Sequence, residues 1–252
     1  MSDDQVLRRA EGPVGHLVFS NPAKRNAISA KMWREAVEGL DAFAADPAIR
    51  VLVISGAAKS FIPGADIGAF DEGDTGRGSR TPDLVTGFPK PSIAMIDGWC
   101  LGAGMAIALS CDLRIATPES KFGIPAAKLG LGYGAWGVRP LMTLVGVAAA
   151  KEILYTGRQF SAQEAREMGL VNRLVPADRL EADIGELAGS IAANAPLSVA
   201  AAKRTIDELS KDPAERDMAG CEALIAQCRS SADFAEGRKA FLEKRKPVFT
   251  GR

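Results

Sequence analysis

The chain has 252 residues, and its 31 Lys and Arg residues balance 31 Asp and Glu residues, so the formal net charge is zero. Apolar residues make up 47% of the chain and charged residues 25%, a folded globular composition that excludes wholesale disorder. A nucleic-acid-binding protein would more often carry a basic excess, so we expect no nucleic-acid partner.

Histidine and cysteine usage argues against a metal site. The chain has one histidine, His16, and four cysteines, none of which forms a CxxC pair. A zinc site built from His and Cys is therefore nearly excluded, and a disulfide framework is not expected at this length.

The sequence predicts neither a signal peptide nor a membrane span. Residues 1–10 contain acids and no apolar run, unlike a signal peptide. The most apolar stretch, residues 98–109, is too short to cross a bilayer. We therefore expect a soluble cytoplasmic protein that does not associate with a membrane.

The N-terminal half predicts short buried strands and one amphipathic helix. Strands are predicted over residues 16–20, 50–55, 91–96 and 112–116. These runs are apolar and contain β-branched residues, as is typical of strands buried on both faces. Ser29 can cap a helix that runs to about Ala45, because apolar residues recur there at helical spacing.

The C-terminal half predicts mainly helices. Two short helices are expected over residues 138–145 and 148–155, then a helix capped at Ser161 and a strand over residues 170–175. From Asp178 onward the pattern is helical. Strands that alternate with helices argue for an α/β core. Pro196 is the best boundary, which divides the chain into a core (residues 1–195) and a C-terminal helical region (residues 196–252).

One dinucleotide-binding pattern occurs, but its context is wrong. Residues 132–137 match GxGxxG. They do not follow a strand of an N-terminal βαβ unit, and no acid lies about 20 residues further on. A dinucleotide-binding protein, which would bind NAD(H), is therefore a third-ranked hypothesis. A single histidine also leaves little for a Ser-His or Cys-His nucleophile.

Two glycine-rich segments follow predicted strands. The first glycine-rich segment is residues 60–67 (SFIPGADI), and the second is residues 98–104 (GWCLGAG), which leads into a helix near Ala103. N–H groups at a helix start are unpaired and partly positive, and small residues let a ligand oxygen approach the backbone. Two such groups would make an oxyanion hole. Tight turns needed only for packing explain the glycines equally well.

Nine segments then match one known family in the same order along the chain. They are residues 21–28, 60–67, 91–98, 102–104, 110–115, 121–125, 155–158, 169–172 and 241–246. With these segments the chain resembles the crotonase superfamily, also called the enoyl-CoA hydratase/isomerase family. The resemblance implies an α/β fold whose core repeats ββα units, with a C-terminal helical region that packs into neighbours. It also implies homotrimers or dimers of trimers.

The resemblance further implies a function and a set of site residues. The substrate would be an acyl-CoA thioester of the kind met in fatty acid metabolism, with no cofactor other than the coenzyme A it carries. The oxyanion donors would be the N–H groups of Ala65 and Ala103. The residues implied to bind the substrate are Lys24, Arg25, Gly64, Asp66, Ile67, Gly102, Phe241 and Lys244. Residues 238–252 carry six cations against one acid, which suits a phosphate-rich ligand, although a solvated helix end has the same charge.

The chain departs from the family at its catalytic acids. The two glutamates of the hydratases correspond to Ala106 and Ala126, and the aspartate of some isomerases and dehalogenases corresponds to Gly134. Alanine cannot take a proton, and a general acid–base group typically contributes about 10²–10⁴-fold to the rate. We therefore expect an oxyanion hole without the usual bases, in a lyase or isomerase that hydrates poorly.

Tyr133 suggests a reaction that needs no base. Decarboxylation of a malonyl-type acyl-CoA reaches an enolate because CO₂ leaves with its proton already gone. The spacing from Phe122 to Tyr133 resembles that of a tyrosine in the methylmalonyl-CoA decarboxylase branch. That branch has a histidine where Ala65 stands, so the likeness is partial. Tyr133 can equally be a buried aromatic residue whose hydroxyl finds a backbone partner.

Two further alternatives stay open. An acid elsewhere in the chain could supply the base, and the candidates are Asp66, Asp71, Glu72, Asp74, Asp112 and Glu119. The missing glutamates are also what a non-catalytic acyl-CoA-binding protein on this scaffold would show.

Overall fold

Two β-sheets organise the part of the chain that precedes the C-terminal helices, in a computed structural model that describes residues 4–66 and 85–252. The strands are β1 (Gln5–Glu11), β2 (Val14–Ser20), β3 (Val51–Gly56), β4 (Ser92–Ile96), β5 (Trp99–Leu101), β6 (Leu113–Ala116), β7 (Lys121–Gly123), β8 (Phe160–Ser161) and β9 (Arg173–Leu174). The larger sheet has the order β1-β2-β3-β4-β6-β9 and is parallel except for the β1–β2 pair. The smaller sheet has the order β5-β7-β8.

Helices cover these sheets and form the C-terminal part of the chain. They are α1 (Ala30–Ala45), α2 (Ala103–Ser110), α3 (Ala135–Thr156), α4 (Ala162–Glu167), α5 (Leu180–Ala192), α6 (Pro196–Leu209), α7 (Met218–Ser230) and α8 (Ala232–Leu242). Within residues 4–66 and 85–252, no helix combines the length and the apolar character that crossing a membrane requires.

The core repeats a strand–strand–helix unit. In β4-β5-α2 and in β6-β7-α3, the first strand joins the larger sheet and the second joins the smaller sheet. A parallel bridge between Ile62 and Cys100 adds the chain after β3 to the edge of the smaller sheet. The predicted α/β fold of repeated ββα units is confirmed.

Apolar layers lie on both faces of the larger sheet. On one face α1 buries Met32, Ala36, Leu40 and Phe43 against strand residues such as Leu17. On the other face α5 buries Leu180, Ile184, Ala188 and Ala192, which lie four residues apart. Both helices carry one apolar stripe, as helical periodicity requires. The predicted cap of α1 is confirmed, because the Ser29 side chain accepts a hydrogen bond from the Met32 N–H.

Strands β1, β7 and β8 were not predicted from the sequence, and three predicted features differ in the structure. The strand predicted over residues 170–175 is wrong in extent: only Arg173–Leu174 pairs in the sheet, because the N–H groups of Leu170 and Val171 both donate to the Ala165 carbonyl at the end of α4. The two short helices predicted over residues 138–155 form one element, α3, which non-helical backbone at Gly146 interrupts. The predicted turn over residues 98–104 contains strand β5.

Residues 196–252, the C-terminal arm, are attached to the core by polar contacts. Lys203 Nζ of α6 lies 2.5 Å from Asp112 Oδ1, and the Arg50 guanidinium donates to the carbonyl of Phe249 (2.6 Å). Pro196 opens α6, as expected from its fixed φ. The division into residues 1–195 and 196–252 as two units stays a prediction.

Candidate active site

The first glycine-rich segment lies between two other stretches of backbone. On one side, the N–H of Phe61 donates to the Asp97 carbonyl (2.6 Å) and that of Ile62 to the Trp99 carbonyl (2.8 Å). The Leu101 N–H donates back to the Ile62 carbonyl (3.0 Å). The first glycine-rich segment therefore runs alongside the second one.

On its other side, the first glycine-rich segment is held by Ile28. The Ile28 N–H donates to the Gly64 carbonyl (3.0 Å), and the Asp66 N–H donates to the Ile28 carbonyl (2.9 Å). Ile28 and Ala65 thereby form a parallel bridge. In such a bridge the N–H and C=O of Ala65 point away from Ile28. Within residues 4–66 and 85–252, the Ala65 N–H has no acceptor.

The second predicted donor, Ala103, is the first residue of α2. The first N–H groups of a helix have no partner within it, and the preceding residue, Gly102, offers no capping side chain. The described part of the chain provides no acceptor for the Ala103 N–H. Its partial positive charge, reinforced by the helix dipole, suits an anionic oxygen.

Glycines bring the two glycine-rich segments into contact. A Cβ atom on Gly104 would lie 2.1 Å from the Ile62 carbonyl oxygen, and one on Gly102 would lie 3.8 Å from the Cα atom of Gly64. Gly102 also has a φ of +51°, which favours glycine. Gly64 and Gly102, each next to a predicted donor, are therefore neighbours.

The positions implied for the missing glutamates are Ala106 and Ala126. Ala106 is buried on α2, one turn after Ala103. Ala126 lies on the 3₁₀ turn Pro125–Leu129 and, like Ala103, packs at the edge of the larger apolar cluster. The side chains at these positions are methyl groups, so neither residue offers a proton-transfer group.

Tyr133 lies at the edge of the same apolar cluster with its hydroxyl buried. Its ring centroid is 5.3 Å from that of Trp136, and a Cβ atom on Gly137 would lie 2.5 Å from the Tyr133 ring. Among the described residues the hydroxyl has no hydrogen-bond partner. Burial raises the pKa of Tyr133 far above its usual range, so the hydroxyl stays protonated. The described part of the chain therefore provides no backbone partner of the kind expected for a purely structural tyrosine.

Lys24 and Arg25 line a groove of about 310 Å³ beside the first glycine-rich segment. The remaining lining residues are Pro63, Trp99, Leu101 and Gln159. Lys24 Nζ lies 2.5 Å from Asp66 Oδ2, and the Arg25 guanidinium lies 4.7 Å from the centroid of the Trp99 ring. Lys24, Arg25, Gly64 and Asp66 therefore lie together, whereas Ile67 falls outside the described residues.

The two predicted substrate-binding residues of the C-terminal arm, Phe241 and Lys244, lie away from that groove. Phe241 is 84% exposed and lines an apolar groove of about 670 Å³ on the C-terminal arm, together with Phe234, Leu242 and Phe249. Lys244 follows α8, is exposed and has a φ of +53°. Neither residue lines the groove beside Lys24 and Arg25. One chain therefore does not bring Phe241 and Lys244 to the other predicted substrate-binding residues.

One of the six cations in residues 238–252, Arg245, is neutralised by carboxylates of the same chain. Arg245 contacts Glu236 (2.6 Å) and Glu243 (2.7 Å), and these hydrogen bonds raise its pKa above the usual range. Glu236 lies just before the window of residues 238–252, so the charge of that window overstates the positive charge available to a ligand.

The other acids that could supply a base are held in hydrogen bonds, are exposed to solvent, or lie outside the described residues. The Asp112 carboxylate accepts hydrogen bonds from the Ser92 N–H (2.7 Å) and from Lys203 (2.5 Å), and Glu119 is exposed. Asp71, Glu72 and Asp74 lie outside the described residues. Among the described residues, no group of three or more His, Cys, Asp or Glu side chains is placed to hold a metal ion.

Sequence reasoning missed Asn26. Its side chain is 1% exposed, accepts from the Asn21 N–H (2.9 Å), and donates to the carbonyls of Ala57 (2.7 Å) and Ser60 (2.5 Å). Its φ is +70°. Asparagine tolerates this left-handed conformation, and its presence in a short loop was the available signal.

Comparison with known proteins gives consistent relatives over the whole chain. Residues 9–252 match the family model described as enoyl-CoA hydratase/isomerase. The chain is 34% identical to a 2,3-dehydroadipyl-CoA hydratase of Escherichia coli (strain K12) over 94% of each chain. It is also 34% identical to a crotonyl-CoA hydratase of Syntrophomonas wolfei over 99% of each chain.

Solved structures agree with these relatives. An enoyl-CoA hydratase/carnithine racemase from Magnetospirillum magneticum superposes with a TM-score of 0.91, at 35% identity over 98% of this chain and 96% of that one. An enoyl-CoA hydratase from Mycobacterium tuberculosis H37Rv superposes with a TM-score of 0.89, at 32% identity over 98% of this chain and 99% of that one.

Proposed function

The chain belongs to the enoyl-CoA hydratase/isomerase family, or crotonase superfamily, and we propose that it acts on an acyl-CoA thioester through an enolate. In this proposal the Ala65 and Ala103 N–H groups bind the thioester oxygen. Lys24 and Arg25 meet the phosphates of coenzyme A, and the backbone at Gly64, Asp66, Ile67 and Gly102 lines its path. No separate cofactor is needed, because coenzyme A is part of the substrate.

The main support for this proposal is a pair of backbone N–H groups, those of Ala65 and Ala103. Ala65 and Ala103 lie in adjacent segments, and the described residues provide an acceptor for neither N–H. Unpaired backbone donors at a junction of small residues are suited to charge that develops during a reaction. One such donor can be worth about 10²–10³ in rate.

The reaction we favour is not efficient hydration. Hydration of an enoyl-CoA needs a group that activates water and a group that delivers a proton. Methyl groups stand at Ala106 and Ala126, and Asp66 and Asp112 are held in ion pairs with Lys24 and Lys203. We therefore rank decarboxylation or a slow isomerisation above hydration, which makes the enzyme a lyase or an isomerase.

Tyr133 favours the decarboxylation of a malonyl-type acyl-CoA. The bond between the carboxylate and the α-carbon breaks, its electron pair forms the enolate, and CO₂ leaves. A proton then returns to the α-carbon from Tyr133 or from water. Burial raises the pKa of Tyr133 and so keeps its hydroxyl protonated, with a hydrogen to donate to the substrate. A buried hydroxyl without a partner costs about 1–3 kcal/mol, which a substrate carboxylate would offset.

A non-catalytic acyl-CoA-binding protein is the alternative from another class. It would keep the amides and the cations while lacking proton-transfer groups, and the alanines at positions 106 and 126 favour it. The dinucleotide-binding hypothesis has less support, because residues 132–137 follow a 3₁₀ turn rather than a strand.

We further propose a homotrimer or a dimer of trimers in the cytoplasm, serving fatty acid metabolism. In this assembly Phe241 and Lys244 of one subunit reach the coenzyme A bound by a neighbour. The exposed apolar residues of the C-terminal arm support association, since Phe241, Leu242 and Val248 are each more than 70% exposed.

A panel of acyl-CoA esters, assayed by mass change, tests the proposed function. The test variant is Ala103→Pro, which removes one predicted donor. The first residue of a helix tolerates proline because its N–H has no partner within the helix. Ala232→Pro is the matched control, since Ala232 is the exposed first residue of α8 and lies outside the two glycine-rich segments. We expect at least one ester to be turned over, with a loss of about 10²–10³-fold in Ala103→Pro only.

The outcomes separate the hypotheses. Equal turnover by wild type and Ala103→Pro would contradict the oxyanion-hole proposal. Binding of esters without any turnover would leave the non-catalytic alternative. Rapid hydration of crotonyl-CoA would overturn the ranking against hydration. Loss of decarboxylation in Tyr133→Phe would support the role of that hydroxyl, and unchanged decarboxylation would exclude it.

A further inference from the structure

We propose that Asn26 is a positioning residue that holds the Ala65 amide in place for the thioester oxygen. The proposal rests on the proposed function, because it assigns a role toward the oxyanion hole. Asn26 belongs to a loop that precedes α1 and lies outside the two glycine-rich segments.

Asn26 joins its own loop to the chain that follows β3. Its Oδ1 accepts from the Asn21 N–H (2.9 Å), and its Nδ2 donates to the carbonyls of Ala57 (2.7 Å) and Ser60 (2.5 Å). The side chain is 1% exposed and uses both its acceptor and its two donors. A buried, fully satisfied amide of this kind fixes the distance between the two stretches of backbone that it joins.

The same loop also holds Ala65 directly. Ile28, two residues after Asn26, brackets Ala65 through hydrogen bonds to Gly64 and Asp66. The Ser60 hydroxyl adds a hydrogen bond to the Arg25 carbonyl (3.0 Å). Asn26 therefore sets where Ile28 meets residues 64–66, and through Ile28 it sets the direction of the Ala65 N–H.

The second donor is held differently. The Ala103 N–H is placed by the start of α2 and by the close packing of Gly104 on Ile62. Among the described residues, the side-chain partners of Asn26 are Asn21, Ala57 and Ser60, none of which belongs to that helix. Loss of the Asn26 side chain should therefore weaken one donor and leave the other, which predicts a partial loss of carbonyl polarisation.

The test uses Asn26→Gly, because glycine accepts the left-handed backbone at this position (φ +70°) while the three side-chain hydrogen bonds disappear. Asn172→Gly is the matched control. Asn172 also joins two stretches of backbone, accepting from the Arg114 N–H (2.7 Å), and it lies outside the proposed site.

The readout is the ¹³C chemical shift of the thioester carbonyl in bound, labelled crotonyl-CoA, together with the dissociation constant and kcat for the best ester of the panel. We expect the downfield shift of the bound carbonyl to shrink in Asn26→Gly. We expect kcat to fall at least 10-fold while the dissociation constant changes less than about 3-fold, since a displacement of about 1 Å can cost 10²-fold in rate. Asn172→Gly should match wild type.

The measurements distinguish a failure of the proposed function from a failure of the role assigned to Asn26. A wild-type complex without any downfield shift would contradict the proposed function. A normal wild-type shift that persists unchanged in Asn26→Gly would overturn the role of Asn26 alone. If Asn26→Gly does not fold, Asn26→Asp keeps the acceptor for the Asn21 N–H and removes the two donors to the Ala57 and Ser60 carbonyls, with a residue that tolerates the left-handed backbone. A reduced shift in Asn26→Asp would support the proposal, and an unchanged shift would overturn it.

Discussion

The largest fully buried apolar side chains among the described residues lie in the sheet-bearing part of the chain, whereas the buried apolar residues of the C-terminal arm are the small ones Ala201, Cys221 and Ala240. Phe19 and Phe122 are each 1% exposed, whereas Phe241 is 84% and Leu242 is 79% exposed. Carboxylates hold the arm together instead. The Glu208 side chain is 1% exposed and meets Arg204 (2.9 Å) and Lys211 (2.8 Å).

The same contrast appears where the chain ends. The Asp233 carboxylate accepts hydrogen bonds from the N–H groups of Thr250 (2.7 Å) and Gly251 (2.8 Å), which fixes the last residues against α8. Apolar burial therefore dominates in the core. The arm buries the carboxylates Glu208 and Asp233 and exposes Phe241, Leu242 and Val248, which leaves these apolar residues available to a partner.

The largest effect is expected for a core truncation. Phe19→Ala removes a fully buried ring between the larger sheet and α1. We expect the free energy of unfolding to fall by about 3–5 kcal/mol, because the lost burial and the cavity both contribute. Urea unfolding followed by circular dichroism measures this change. A loss below about 1 kcal/mol would mean that the core does not carry the stability assigned to it.

A smaller effect is expected where the arm joins the core. Lys203→Met keeps the length of the side chain and removes its contact with Asp112, which also accepts from Ser92. We expect a loss of about 1–3 kcal/mol, because a half-buried carboxylate loses a charged partner. Hydrogen exchange should increase in α6–α8 and not in α1. Equal increases in both places would contradict the separate attachment of the arm.

The arm should also respond to acid. Hydrogen bonds from Arg245 and from the Val248 N–H lower the pKa of Glu236 to about 2. A carboxyl with a lowered folded-state pKa stabilises the folded form above its unfolded pKa of about 4.3, and this stability is lost as the pH falls toward 2. Glu236→Gln should therefore show a weaker pH dependence of the urea midpoint between about pH 4.5 and 2. A pH dependence identical to that of wild type would contradict the role of this pair.

The smallest effect on folding is expected at the exposed apolar surface of the arm. Phe241→Ser changes a side chain that is 84% exposed, so the free energy of unfolding should change by less than about 0.5 kcal/mol. The variant should nevertheless associate more weakly, which analytical ultracentrifugation measures as a function of concentration. Folding and assembly would not be separable in the arm if Phe241→Ser destabilised the protein as strongly as the core truncation.

The sequence predicted those helices and strands that have a strong hydrophobic pattern within their own residues. The helix after Ser29 and the strands over residues 50–55 and 91–96 have strong periodicity or continuous apolar runs, and the structure confirms them. Strand β5 was missed because three residues carry no usable period, and its pairing with β7 depends on residues 22 positions away. Residues 170 and 171 look like a strand but complete the end of α4.

Contacts between distant residues also limited the prediction of the candidate site. The glycine-rich segments can be read from the sequence, but their contact at Gly64 and Gly102 depends on pairing between distant stretches. The hydrogen bonds from Asn26 to Ala57 and Ser60 connect residues more than 30 positions apart, and no local pattern predicts them. The neutralisation of Arg245 likewise depends on Glu236, nine residues away on α8.

The central claim is that two unpaired amides polarise one thioester carbonyl. Isotope-edited infrared spectroscopy of bound crotonyl-CoA, labelled at that carbonyl, tests it most directly. We predict a carbonyl stretch at lower frequency on the wild-type protein than in water, and a partial return toward the free value on Ala103→Pro. A bound carbonyl that absorbs at the free frequency, or one that is shifted equally on wild type and Ala103→Pro, would contradict the claim.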